Sequence, residues 1–216
     1  MKRLLVLVTC LLLGAAPALA DDLFAPAWRG DDNTVLAEWD TWDGFSTTDP
    51  FYPDDWHSIP AGLPSPDAMA YDTAEYLSVH EGRDDVVKID GFLQLDFLMP
   101  NFVGQELTET WIQLTYLATE PAEVDFLIDT DPYSDDINGP QLMDAFDHGD
   151  GWVTEAYLYT ILPSPESALF ALDFSSASGA APVYLDQVVF DSVAVPEPVS
   201  ALILALGGVA VLRRRR

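Results

Sequence analysis

The chain has 216 residues, 36 Asp and Glu against nine Lys and Arg, and a formal net charge of −27. Six of the nine cations lie at the two ends, so residues 21–195 hold 35 acids against Arg29, Arg83 and Lys88. Such a surface repels nucleic acid and anionic membranes and attracts cations, while the aromatic and aliphatic residues interleaved with the acids exclude a disordered polyanion.

Residues 1–20 have the parts of a secretion signal: basic Lys2 and Arg3, an apolar helical run over 4–13, and the small residues Ala18 and Ala20. They predict export through the Sec translocon and cleavage after Ala20. Cys10 lies inside this segment, so the mature chain would lack cysteine and with it disulfides and thiol chemistry.

The body, 21–192, is long enough for one domain with a substantial core. Period-two alternation marks strands with one face buried. The first of these are 34–39, 76–79 and 86–89. Leu93, Leu95 and Phe97 then alternate with Gln94 and Asp96, Ile112, Leu114 and Tyr116 with Gln113 and Thr115, and Val124, Phe126 and Ile128 with Glu123 and Asp125. Strands over 152–161, 168–174 and 183–191 complete the set. Turn chemistry fills 46–55, 60–67, 129–140 and 162–165. No amphipathic helix longer than about two turns interrupts this pattern. It predicts an all-β fold, an antiparallel β-sandwich with a jelly roll as the preferred topology.

Asp129, Asp131, Asp135, Asp136 and Asn138 crowd one of these turns. They offer the oxygen ligands that Ca2+ takes, six to eight at roughly 2.3–2.6 Å. Ser134 and Pro140 stand where an EF-hand needs Gly and Glu, so this is not that loop, and a plain exposed acidic turn is the alternative. Asp147-His148-Gly149-Asp150 reads as a loop, because no zinc-binding spacing accompanies it. Neither a Gly-x-Ser-x-Gly elbow nor a phosphate-binding glycine loop occurs, so no catalytic residue is nominated and no enzyme is expected. Trp42 and Trp56, flanked by polar loop residues, are expected to be exposed faces for sugar rings, whereas Trp111 and Trp152 belong to strands.

Past the body, the linker 193–198 carries Pro196, Glu197 and Pro198, followed by an apolar stretch over 199–212 and then Arg213, Arg214, Arg215 and Arg216. As a helix that stretch spans about 21 Å, short of the roughly 30 Å hydrocarbon core. It predicts a short transmembrane helix that anchors only marginally, with its arginines cytoplasmic and the body outside.

The Pro-Glu-Pro motif, the apolar stretch with Gly207 and Gly208, and the arginine cluster resemble the PEP-CTERM sorting signal, also called the ice-binding protein C-terminal domain. The resemblance implies an exosortase partner that cuts near the motif and passes the body to the cell surface. The last body strand, 183–191, resembles the closing strand of galactose-binding-like jelly rolls of carbohydrate-binding modules. That second resemblance implies a structural calcium held by Asp186 with Glu38 or Asp40.

These readings predict an exported cell-envelope or extracellular-matrix protein, transiently membrane-anchored by its tail. Its body is expected to be a non-enzymatic module for extracellular polysaccharide, Ca2+ or both, without a nucleic-acid partner. Two alternatives stay open: an extracellular polysaccharide-active hydrolase, whose carboxylate pair is not identifiable among 35 acids, and an acidic structural surface protein with no specific ligand.

Overall fold

The computed structural model describes residues 22–72, 74–117, 123–131, 136–175 and 181–196. The signal segment with Ala18 and Ala20, Asp135, and the tail with Glu197, Pro198, Arg213, Arg214, Arg215 and Arg216 lie outside the described residues.

Twelve strands occur among the described residues: β1 (Thr34–Trp39), β2 (Asp55–His57), β3 (Asp67–Tyr71), β4 (Ala74–His80), β5 (Arg83–Ile89), β6 (Phe92–Pro100), β7 (Leu107–Leu117), β8 (Glu123–Asp131), β9 (Asp136–Asp147), β10 (Trp152–Leu162), β11 (Ser167–Ser175) and β12 (Val183–Val195). No described residue is helical, so none belongs to a helix long and apolar enough to cross a membrane. All strand pairings are antiparallel. The larger sheet runs β2-β1-β12-β7-β10-β9, with the β4-β5 hairpin attached to β12, and the smaller runs β3-β6-β11-β8.

The expected alternation builds the layer between the sheets. Leu93, Leu95, Phe97 and Met99 of β6 are fully buried, with intermediate residues between them. They pack against Trp39, Ile112, Leu114, Val188 and Phe190 of the larger sheet. Trp39 meets Phe97 edge-on with centroids 4.8 Å apart, and Phe97 lies 5.1 Å from Phe190. Each such side chain contributes about 1.5–3 kcal/mol by leaving water, which is what holds the two layers together.

Strands β7 and β12 are buried on both faces over most of their length. Gln113 and Asp191 alternate with core-facing Ile112 and Phe190, so they point outward, yet they are about 1% exposed. Residues 22–30 cover them as a strap: the Phe24 amide donates to Gln113 Oε1 at 2.8 Å, and Arg29 pairs with Asp191.

Strand β12 also forks the sheet. On one side it pairs with β7 throughout, with a register shift between Leu185 and Gln187. On the other it pairs first with β5, through Val183, Tyr184 and Leu185, and then with β1 from Val188 onward. Asp186 sits at the point of divergence.

Every strand expected from periodicity is present, and three more, β2, β3 and β9, begin within or at the end of stretches read as turns and run beyond them. Strands β2 and β9 are exposed along almost their whole length, so neither carries a buried-face pattern. Strand β3 (Asp67–Tyr71) buries only Ala68 and Ala70, too small to register as a hydrophobic stripe. The acidic turn expected over 129–140 is therefore mostly strand: Asp129 and Asp131 end β8, while Asp136 and Asn138 begin β9.

Candidate functional site

After β1 the chain makes a long excursion, residues 40–54, before returning as β2. Its shape follows from local polar chemistry. The Asp54 carboxylate accepts from the amides of Asp40, at 2.8 Å, and Thr41, at 2.7 Å, and from the Thr41 hydroxyl. Farther along, Ser46 Oγ accepts from the amides of Thr48 and Asp49. Phe51 exchanges two 2.8 Å backbone hydrogen bonds with Ala68 and so ties the excursion to the smaller sheet.

Trp42 departs from its expected exposure: it is 1% exposed. Its indole Nε1 donates to the Asp186 carbonyl at 2.6 Å, and its ring meets Phe51 edge-on at 5.8 Å. The reason lies in the fork. The register shift at Asp186 takes that carbonyl out of the regular ladder, and a buried acceptor needs a donor. Trp42 is thus the floor of the excursion and not a platform for a ligand.

The same excursion forms a shallow cleft of about 260 Å³, lined by Thr41, Asp43, Phe45, Phe51, Tyr52 and Asp54 among others. Tyr52 is 63% exposed, and Trp56 on the adjoining β2 is 46% exposed, as its sequence context suggested. Tyr52 escaped the sequence reading because a single aromatic between Phe51 and Pro53 carries no pattern. The run of prolines and aromatics over 50–53 was the only available hint.

At the fork itself, Arg83 Nη1 donates to Asp186 Oδ2 at 2.5 Å, and its guanidinium lies 4.6 Å from the Trp152 ring centroid. Burial raises the Asp186 carboxyl to about 6; Arg83 opposes this, and Asp40 and Asp84 add to it. Glu38 accepts from Gln187 Nε2 at 2.7 Å and is raised to about 7 by burial and by Asp22 and Asp40. Asp186 and Glu38, expected together on a calcium ion, accept hydrogen bonds from Arg83 and Gln187 respectively. Asp129 and Asp131 lie in the smaller sheet, while Asp136 and Asn138 lie in the larger. Among the described residues no three His, Cys, Asp or Glu side chains are gathered as a metal ion requires, and Asp135 lies outside them.

The β9–β10 turn positions His148. Its Nδ1 lies 3.5 Å from Arg83 Nη2, and its Nε2 lies 2.9 Å from Thr154 Oγ1, which is 2.9 Å from Thr115 Oγ1. Arginine only donates, so Nδ1 accepts and the ring proton sits on Nε2. Burial and Arg83 hold this imidazole below its ordinary range. Both ring nitrogens serve the fold, consistent with the loop reading of this cluster.

Comparison with known protein families, curated proteins and solved structures returns no match.

Proposed function

We propose that the chain is an exported cell-surface or extracellular-matrix protein, sorted by an exosortase through a PEP-CTERM tail, whose body is a non-enzymatic module for extracellular polysaccharide. The cleft of residues 41–54 supports the binding half. Exposed Tyr52 lines it together with Asp43 and Thr41, and Trp56 is exposed on the neighbouring strand. Sugar rings stack their CH faces on aromatics and hydrogen-bond their hydroxyls to carboxylates, and a few polar groups in an aromatic-lined concavity are the usual make-up of a ligand site. Asp54 and the Trp42–Phe51–Phe45 aromatic stack hold the loop in place, so little ordering entropy is lost on binding.

We assign the sandwich to the jelly-roll class, because its closing strand β12 inserts beside its first strand β1. Binding is favoured over hydrolysis. A glycosidase needs two carboxylates free to exchange protons across the sugar, and Asp54 already accepts from three donors of its own loop. Calcium binding is a second reading, supported by the short sequence separation of Asp131, which ends β8, and Asp136, which begins β9.

A glycan array probed with the full-length protein, with Ca2+ and with chelator, tests the binding. Saturable signal that Tyr52→Ala removes supports it, and silence on every glycan removes the carbohydrate reading. Signal that appears only with Ca2+ would establish the second reading alongside the first. Intact mass spectrometry of the surface fraction tests the sorting: a C-terminus near Pro196 is expected, and retention of Arg213, Arg214, Arg215 and Arg216 overturns it.

A further inference from the structure

We infer that the cleft over residues 41–54 takes a cationic sugar, a polymer of amino sugars bearing free ammonium groups, in preference to neutral or uronic-acid glycans. The inference rests on the carbohydrate reading above and adds the charge of the ligand.

The cavity supplies two features together. Tyr52 offers an exposed aromatic face, and Asp43 and Asp54 line the same concavity. Its surroundings add charge of one sign. Burial, Asp54 and Asp85 raise the Asp40 carboxyl, and Asp43 and Asp84 act on Tyr76, whose hydroxyl donates to Asp85. Asp40, Asp43 and Asp54 of the loop and Asp84 and Asp85 of β5 thus act on one another or on a common neighbour.

Each of the body's three cations is paired with a carboxylate that does not line the cleft. Arg29 is bound to Asp22 and Asp191, Arg83 to Asp186, and Lys88 to Glu75. A concavity lined by one sign of charge concentrates ligands of the opposite sign. A polyuronate would meet these carboxylates as like charges. A bare divalent cation would need several carboxylates on one point, which the described residues do not provide. An amino-sugar ring uses both features at once: its CH face lies on Tyr52 and its ammonium reaches Asp43, with a cation–π contribution from the same ring.

The test titrates the full-length protein with hexamers of glucosamine, N-acetylglucosamine, glucose and galacturonate, and with spermine, at low and high NaCl. The glucosamine hexamer is expected to bind about tenfold tighter than the N-acetylated one, with affinity falling as salt rises. Asp43→Asn, shown folded by an unchanged melt, should erase most of that preference, and Tyr52→Ala should weaken all hexamers. Equal binding of the glucosamine, N-acetylglucosamine and glucose hexamers overturns the charge preference and leaves the carbohydrate reading standing. Preference for galacturonate does the same. Spermine binding as tightly as the glucosamine hexamer would reveal charge capture without sugar recognition and overturn the inference. No binding by any hexamer overturns both readings.

Discussion

Arg29 and Asp191 are 162 residues apart in the chain and meet on the outer face of the larger sheet, where Arg29 Nε donates to Asp191 Oδ1 at 2.7 Å and Nη2 donates to Oδ2. The same guanidinium also binds Asp22. This pair fastens the strap of residues 22–30 over a row of buried polar side chains, and Asp191 is only 1% exposed.

Replacing Arg29 strands that carboxylate. Arg29→Gln is expected to cost about 3 kcal/mol at pH 8, the lower end for breaking a buried pair, because Arg29 itself keeps some contact with water. Burial raises Asp191 to about 6, so it takes a proton at pH 5 and the loss should shrink. Urea unfolding at the two pH values checks this; an equal loss at both would show that Asp191 is not the stranded group.

Stability as a whole should rise on mild acidification. Glu38, Asp186 and Asp191 are raised to about 7, 6 and 6, chiefly by burial. The folded chain therefore holds these protons more tightly than the unfolded chain, and stability falls as pH climbs from about 4 to about 7. His148, lowered by burial and Arg83, works in the opposite direction below about pH 6.5, but it is one group against these three and the likewise raised Asp40 and Asp67. A melting temperature higher at pH 5 than at pH 8 by about 5 °C is expected, and it should persist in high salt. If salt at pH 8 reproduces the gain, overall charge repulsion and not these three groups is responsible.

Trp42 and Trp56 should separate stability from binding. Trp42→Phe leaves the buried Asp186 carbonyl without its indole donor, at a cost of about 1–3 kcal/mol. Trp56→Ala, at an exposed position of β2, should stay within about 0.5 kcal/mol of the parent while weakening glycan binding. Thermal melts and titrations of both variants decide it, and a large destabilisation by Trp56→Ala would contradict the exposure assigned to it.

Gly139 in β9 is held at φ +140°, and a Cβ there would lie 2.6 Å from Tyr159 Cδ1 and 2.8 Å from the Leu158 carbonyl. Gly139→Ala should cost about 2 kcal/mol or more, since backbone strain and steric clash add. Gly62, at φ +91° with open space around it, gives the comparison: Gly62→Ala should cost about 1 kcal/mol. Denaturation midpoints that rank the two variants the other way would contradict the close packing at Tyr159.

Alternation made the sandwich legible because Leu93, Leu95, Phe97 and their counterparts must turn one face inward. Strand β9 was not legible, because an edge strand that packs only Ile137 against the core has no alternation to mark it. The fork at Asp186 was half legible: the sequence drew attention to that acid, but its partner Arg83 lies 103 residues away. Only the fold could bring that partner across. Trp42 misled for a related reason. Polar neighbours in sequence suggested solvent, while the acceptor that draws it inward lies 144 residues on. Trp56 was readable because its polar sequence neighbours lie, as it does, on an exposed strand.

The ion pairs have a consequence for durability outside a cell. A protease that reads basic residues has three places to cut within residues 21–195: after Arg29, Arg83 and Lys88. Arg83 and Lys88 lie in a paired β-strand, and all three side chains are clasped by carboxylates. Cleavage needs an extended, released segment, which here requires breaking an ion pair and, for two of the sites, peeling a strand away. Enzymes of trypsin-like specificity should therefore leave the folded body almost intact, and its first vulnerable bond should be the one after Arg29, where only the strap has to lift.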